Sequence, residues 1–157
     1  MEYEFRNCTY DDVDFIVDLK DFGLKWYMET IYGWDRNVQK EKTIRELDRH
    51  INDMKIITSD KRDIGITTFY SEDDKYVIGL TIIHPDYQNK GIATSILSGY
   101  INIAKSEKKR IIIKTYIKNP ARRLYERLGF KLYDTNETHA HYEIDFSKVK
   151  ENEYDYK

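Results

Sequence analysis

From Asp11 onward the apolar residues Val13, Ile16, Leu19, Phe22 and Trp26 recur three and four apart, the spacing of one helix face. Thr9 is placed to cap that helix, with Asp11 and Asp12 favourable in its first turn. Tyr32-Gly33-Trp34-Asp35 interrupts the pattern, and Ile44, Leu47 and Ile51 then mark a second helix. Three β-rich runs follow, at residues 55–58, 64–70 and 76–83, separated by charged turns at 59–63 and 71–74. They predict an antiparallel meander. Pro85 ends the third run, and a turn at 86–90 leads into a long helix carrying Ile92, Ile96, Leu97, Tyr100, Ile103 and Ala104 on one side. Arg110-Ile111-Ile112-Ile113 is a continuous apolar run of the kind expected for a strand covered on both faces. Asn119-Pro120 opens a short helix with Ala121, Leu124, Tyr125 and Leu128 on its apolar face, stopped by Gly129. Residues 130–133 form a strand, and Tyr142, Ile144 and Phe146 alternate with His141, Glu143 and Asp145 as the last one. The order predicts a mixed α/β sheet.

Length fits one core: 157 residues, with no repeat, low-complexity block or linker. The expected organisation is a single domain over 1–146 and a polar tail from Ser147 to the end. Lys plus Arg number 26 and Asp plus Glu 28, a net charge of −2, so there is no basic field to favour nucleic acid as a partner. A mean hydropathy of −0.75 leaves no membrane-spanning run. The single cysteine, Cys8, excludes an intrachain disulfide framework and a multi-cysteine metal site, and no metal site is expected. The acidic, polar start MEYEFRNCTY is unlike a secretory signal, so the expected location is cytoplasmic.

The most informative stretch is Gln88-Asn89-Lys90-Gly91-Ile92-Ala93, which joins a strand end to a long helix. A helix start has about four amides without internal partners and a partial positive charge, which an anion can satisfy. Gly91 and Ala93 allow close approach, and Lys90 adds charge at the rim. A tight strand-to-helix turn that uses Gly for backbone freedom explains the same residues. No Gly-Lys-Ser/Thr follows, so the nucleotide P-loop is excluded, and the three-glycine dinucleotide pattern is absent.

About thirty residues on, Asn119-Pro120-Ala121-Arg122-Arg123-Leu124-Tyr125-Glu126-Arg127-Leu128-Gly129-Phe130 supplies a second motif. Together the two resemble the GNAT superfamily of acetyl-CoA-dependent N-acetyltransferases. Gln88, Gly91 and Ala93 fit that family's cofactor turn, Gln/Arg-x-x-Gly-x-Gly/Ala, and 82–87 resembles the entry to it. Asn119, Ala121, Leu124, Tyr125, Gly129 and Phe130 match its downstream helix. The resemblance is sharp over residues 76–130, and the first half agrees in its order of elements. It implies a largely antiparallel central sheet flanked by helices, with a V-shaped splay between two parallel strands where acetyl-CoA lies. Backbone groups of Ile82 and Ile83 would pair with the pantetheine arm like an added strand. The amides of Gln88, Asn89, Lys90, Gly91, Ile92, Ala93 and Thr94 would hold the pyrophosphate. Asn119 and Arg122 would lie toward the far side of the cofactor. Asn119 before Pro120 is equally a helix N-cap, Arg123 reads as a solvated face, and Tyr125 has a packing role beside its implied catalytic one.

Acetyl transfer to an amine needs a neutral nitrogen, a stabilised thioester oxygen and a leaving sulfur that takes a proton. At pH 7 a lysine-like amine of pKa about 10.4 costs about 4.6 kcal/mol to deprotonate and an α-amine near 8 about 1.4. Some members of the superfamily place a glutamate early in the cofactor strand. Tyr76-Val77-Ile78 holds no carboxylate, so Glu72, His84, His139 and His141, acting through water, are the alternatives. The resemblance gives an amide near Ile83 the oxyanion and Tyr125 the general acid's part. A phenol of pKa about 10 protonating a thiolate at about 8.5 is uphill by about 2 kcal/mol.

Trp26, Tyr32 and Trp34, with Tyr27, Glu29 and Asp35, are placed to wall a cationic amine, or equally to pack the core and anchor a loop. The expected partner is a small-molecule or peptide amine, with no nucleic acid and no membrane, and the chain a monomer or homodimer. A catalytically silent acyl-CoA-binding sensor of the same fold, or a structural domain without ligand, are the competing readings. Free-thiol release and a thermal shift with coenzyme A separate them.

Overall fold

The computed structural model describes residues 2–31 and 33–148. Its strands are β1 (Glu4–Asn7), β2 (Met54–Ser59), β3 (Arg62–Glu72), β4 (Lys75–Ile83), β5 (Arg110–Tyr116), β6 (Lys131–Thr135) and β7 (His139–Asp145). The helices are α1 (Val13–Gly23), α2 (Lys25–Glu29), α3 (Arg36–His50), α4 (Ile92–Ser106) and α5 (Arg122–Arg127). The strands form one mixed sheet in the order β1-β2-β3-β4-β5-β7-β6. β1–β2, β2–β3, β5–β7 and β6–β7 pair antiparallel, and β4–β5 pair in parallel. The parallel register runs from Lys75↔Arg110 to Ile78↔Ile113. Contacts divide the chain into two compact units, one of Met1–Tyr70 with Gly79–Ser95, the other of Ser71–Ile78 with the chain from Ile96 onward.

In the first unit the core gathers Ile16 and Leu19 of α1, Leu47 of α3, and Met54, Ile56, Ile66 and Ile82 of the strands. Thr9 caps as its sequence predicts, but the turn it caps is a 3-10 turn over Tyr10–Asp12, closed by a reciprocal box with Asp12. The predicted stripe ends early. α1 stops at Gly23, and Phe22 and Trp26 are 55% and 61% exposed. On α3, Ile44 is exposed while Gln39, Thr43 and Leu47 are buried. A buried cation sets that face: Lys20 Nζ donates to Thr43 Oγ1 and to Glu46 Oε1, both at 2.9 Å. β1 has no apolar alternation to reveal it. Its backbone pairs with β2 from Glu4↔Thr58 to Asn7↔Lys55 while Phe5 stays exposed.

Gly65 of β3 is required by space. A Cβ there would stand 2.6 Å from the Ile82 carbonyl oxygen, a backbone atom that no rotamer change can move. Gly65→Ala is therefore expected to lose about 1–3 kcal/mol of stability, read as a lower urea midpoint at unchanged slope.

The second unit buries Ile78, Ile96, Leu97, Ala104, Ile111, Ile113, Phe130, Ala140 and Tyr142. The run at 110–113 is not covered on both faces as its composition predicts. β5 alternates, with Ile111, Ile113 and Thr115 buried and Lys114 exposed. At its start, Arg110 donates to Glu143 of β7 at 2.7 Å and lies 4.8 Å over the Tyr133 ring. Gly129, at φ +104°, ends α5 as predicted. Of the predicted tail, Ser147 and Lys148 close a short 3-10 turn, and the rest lies outside the described residues.

Candidate functional site

In the first unit the site residues run from the end of β4 to the start of α4. The His84 amide donates to Ile64 O of β3 at 2.7 Å. Strand groups two residues apart face the same neighbour, so Ile82 also faces β3, and its carbonyl does lie against Gly65. Ile83 faces the other way. Its carbonyl accepts from Gln88 Nε2 at 2.9 Å, so the side chain of the predicted motif residue clasps the turn to the strand. The Ile83 amide points along the same edge. Between strand and helix the chain makes a 3-10 turn, Pro85–Tyr87, capped by His84, whose Nδ1 accepts from the Asp86 amide at 3.1 Å.

The turn then takes two left-handed steps, Asn89 at φ +61° and Gly91 at φ +81°. Alternating backbone hands of this kind turn successive amides toward one concavity, an anion nest. Nothing lies within 4 Å of where a Gly91 Cβ would be. Gly91 O accepts from the Ser95 amide at 3.0 Å, which opens α4, so the amides of Ile92, Ala93 and Thr94 are the unpartnered first turn of a 15-residue helix. Ile92 is buried and anchors the helix, while Asn89, Lys90, Gly91 and Thr94 are exposed.

In the second unit Asn119, Arg122 and Tyr125 meet in one network. Asn119 Oδ1 accepts from the Ala121 amide at 2.9 Å, closing the turn ahead of α5, whose N-cap is Ala121 and not the predicted Asn119, and its Nδ2 donates to Thr115 Oγ1 at 2.9 Å. The Tyr125 hydroxyl bonds to the same Thr115. Burial pushes its pKa up to about 12, and the Thr115 bond only partly offsets this. Its ring meets Phe130 and Tyr142 edge-on at 6.2 and 6.0 Å. Arg122 is drawn inward: Nε donates to Tyr142 Oη at 2.7 Å and Nη1 to Ile117 O at 2.9 Å. Tyr142 Oη in turn donates to Glu126 Oε1 at 2.9 Å. Thr115, Glu126 and Tyr142 were not singled out by the sequence pattern. The signal available was a threonine ending an apolar run and a tyrosine on the buried side of the last strand.

The predicted acceptor residues are spread out. Trp26 stands exposed on α2, its ring edge-on to Tyr27 at 4.9 Å. Trp34 is half-buried just before Asp35, which caps α3 through the Asn37 amide at 2.9 Å. Tyr32 lies outside the described residues. Within the first unit, Phe15, Asp18, Asp21, Phe22, Asp63 and His84 line a cleft of about 390 Å³. Phe22 meets the His84 ring edge-on at 5.0 Å. Among the described residues no group of three or more His, Cys, Asp or Glu is placed to hold a metal, and no helix is long and apolar enough to cross a membrane.

Solved structures share this fold. A PaiA N-acetyltransferase of Thermoplasma acidophilum, solved with coenzyme A, superposes with a TM-score of 0.68 at 18% identity, over 92% of this chain and 99% of that one. The protein PH1933 of Pyrococcus horikoshii gives 0.75 at 15% identity, over 92% and 98%. The ribosomal-protein-S18-alanine N-acetyltransferase of Escherichia coli gives 0.66 at 16% identity, over 96% and 98%. No curated protein matches the sequence. The family model for the acetyltransferase (GNAT) domain matches residues 52–132, from the turn after α3 into β6. That span is more than half of the chain and contains both sequence motifs, and the chain belongs to the GNAT acetyltransferase family.

Proposed function

We propose that this chain, read as one domain over residues 1–146, is an acetyl-CoA-dependent N-acetyltransferase acting on a primary amine. The observation that carries the reading is the turn from Gln88 to Thr94. Two left-handed residues, an open face at Gly91 and the free amides of a long helix together suit a diphosphate. The residues fit the cofactor that the family uses. The amides from Gln88 to Thr94 would hold its pyrophosphate and the outward amide of Ile83 its pantetheine arm, Ile82 being turned toward β3, with Asn119 and Arg122 toward its far side. With Ile83 O engaged by Gln88, the edge offers the Ile83 amide as the donor to an added strand or to a developing oxyanion. Arg122, tied to Tyr142 and Ile117, acts by holding α5 in place.

Bound acetyl-CoA supplies an acetyl group activated as a thioester. Tyr125 holds a proton at Oη. With its pKa near 12, complete transfer to a thiolate of about 8.5 is uphill by about 5 kcal/mol, so the proton moves only as negative charge builds on the leaving group. The aromatic and acidic lining of the cleft in the first unit suits a cationic amine.

Titration calorimetry with coenzyme A, followed by thiol release from acetyl-CoA against an amine panel, tests the reading. No heat at millimolar coenzyme A would remove it. Binding without thiol release from any amine would leave the silent sensor, a reading favoured by the high proton affinity of Tyr125. Gly91→Ala puts a methyl into the open face of the turn and forces a left-handed alanine, a strain of about 1–2 kcal/mol. Coenzyme A affinity should fall at least about tenfold, about 1.4 kcal/mol by calorimetry.

A further inference from the structure

Thr115 is a hydroxyl at the end of an apolar row. Strand alternation puts Ile111, Ile113 and Thr115 on one buried face of β5, and Thr115 is 8% exposed. A buried hydroxyl needs partners for its hydrogen and its lone pairs. The chain supplies the first by turning back. The Asn119 amide donates to Tyr116 O at 2.9 Å, which brings the Asn119 side chain to the residue four before it. Which end of that side chain faces Thr115 is fixed. The Ala121 amide has only hydrogen to offer, so the atom it meets at 2.9 Å is Oδ1, and the atom 2.9 Å from Thr115 Oγ1 is Nδ2. Nδ2 carries hydrogens and accepts nothing. Thr115 Oγ1 is therefore the acceptor in this bond, and its own hydrogen has to go elsewhere.

Among the described residues the other bond of the Thr115 hydroxyl is to the Tyr125 hydroxyl. Were Tyr125 the donor, Oγ1 would accept twice and its hydrogen would be buried without an acceptor, an arrangement folded cores avoid. With Thr115 as donor every group is used. Asn119 Nδ2 gives to Oγ1, Oγ1 gives to Tyr125 Oη, and the phenol keeps its own hydrogen unspent. A bond of that direction favours the phenolate, and Thr115 does draw the Tyr125 pKa down against the larger upward effect of burial. The hydroxyl next door is engaged separately: Tyr142 Oη accepts from Arg122 at 2.7 Å and donates to Glu126 at 2.9 Å.

We propose, resting on the acetyltransferase reading above, that Thr115 is a positioning residue for Tyr125. Held by Asn119, it donates its hydrogen to Tyr125 Oη, keeps the phenol hydrogen free for the leaving sulfur, and steadies the oxygen as that hydrogen departs. In the step it serves, the neutral amine nitrogen bonds to the acyl carbon, and the carbon–sulfur bond breaks with its electron pair going to sulfur. Tyr125 Oη gives its proton to that sulfur and keeps the electron pair of the broken oxygen–hydrogen bond. The proton shed by the new amide nitrogen restores the phenol through water, so amine and thioester become amide and thiol. Oη is most negative during the transfer. The Thr115 bond is therefore stronger there than at rest, and it speeds the step without adding to the binding of either substrate.

The test compares wild type with Thr115→Val, Thr115→Ser, Tyr125→Phe and the double variant of Thr115→Val with Tyr125→Phe. The readouts are thiol release, coenzyme A calorimetry, and fluorine NMR of chains carrying difluorotyrosine, whose phenol titrates at lower pH. Thr115→Val should lose about 10- to 100-fold in kcat, the worth of a bond to an oxygen gaining charge, with KM and coenzyme A affinity within about twofold of wild type. Thr115→Ser, which keeps the hydroxyl, should recover most of that loss. In the Tyr125→Phe background Thr115→Val should cost nothing more, because the two residues act as a unit. In the chain without coenzyme A, the Tyr125 resonance, assigned by its loss in Tyr125→Phe, should titrate about one pH unit higher in Thr115→Val than in wild type. Should Thr115→Val not fold, Thr115→Cys, with a weak S–H donor in place of the hydroxyl, carries the same comparisons. An unimpaired Thr115→Val or Tyr125→Phe, equal losses in both backgrounds, or a Tyr125 titration that stays or moves down overturns the positioning role and leaves the acetyltransferase reading intact. A wild-type chain that neither binds coenzyme A nor releases thiol removes both.

Discussion

Tyr125→Phe is expected to lower turnover by about 10²- to 10⁴-fold, the range for losing a general acid. Phenylalanine keeps the ring and its edge contacts with Phe130 and Tyr142, so folding should suffer only the lost hydroxyl bond to Thr115, about 1 kcal/mol. Coenzyme A affinity should stay within about twofold, since no binding role is assigned to the hydroxyl. A fall in kcat with both binding constants unchanged distinguishes proton donation from packing. The pH profile sharpens the test. A general acid works while protonated, and its contribution is lost as pH rises through its pKa. At ordinary tyrosine values that loss would begin near pH 10. With the hydroxyl desolvated and its pKa near 12, wild-type turnover should show no such loss up to pH 10. An unimpaired Tyr125→Phe rate, or a wild-type alkaline limb centred near 10 that the variant lacks, would contradict this account.

What the chain discloses in advance depends on whether a structural need is met by residue type or by geometry. The turn at Gln88–Ala93 and the helix from Asn119 to Gly129 are legible because left-handed backbone selects glycine and a helix start selects asparagine. Gly91 and Gly129 have positive φ, and Asn119 closes the turn that leads into α5. Gln88 is legible as a motif residue, but its work, clasping Ile83 O, is visible only in three dimensions. Lys20 shows the limit from the other side. A lysine amid an apolar stripe reads as solvent-facing, yet Thr43 and Glu46 on another helix draw it inward and turn Ile44 out. β1 is paired by backbone groups that every residue carries, so Glu4–Asn7 leaves no pattern. The histidines are the clearest case. His84 and His139 look alike in sequence, yet His84 Nδ1 accepts a backbone amide and His139 Nδ1 meets a threonine hydroxyl.

Asp12→Ala is expected to destabilise the fold by about 2–4 kcal/mol. Arg6 donates to both Asp12 oxygens, at 2.6 and 3.0 Å, and to both of Asp63, at 2.8 and 3.1 Å. One guanidinium thus ties β1 to the 3-10 turn ahead of α1 and to β3. Asp12 also accepts the Thr9 amide at 2.8 Å, half of the capping box. Losing a cap costs about 1 kcal/mol. Stranding one partner of a fully buried pair costs about 3–5 kcal/mol, but the Arg6 side chain is 37% exposed and keeps Asp63, so the ionic part is well below that. Burial alone would raise the Asp12 pKa, yet the Arg6 and Thr9 bonds outweigh it and the carboxyl titrates below 3.8. A carboxyl with a depressed folded pKa stabilises fully above its unfolded value and loses that contribution as pH falls through the folded one. The gap between wild type and Asp12→Ala in urea unfolding should therefore be constant from pH 7 to about 5 and narrow below pH 3.8. Asp12→Asn, which keeps an acceptor for the Thr9 amide, should recover about 1 kcal/mol of the loss. A gap that stays the same down to pH 2 would mean that packing of the turn, and not the ion pair with Arg6, holds β1 to the unit.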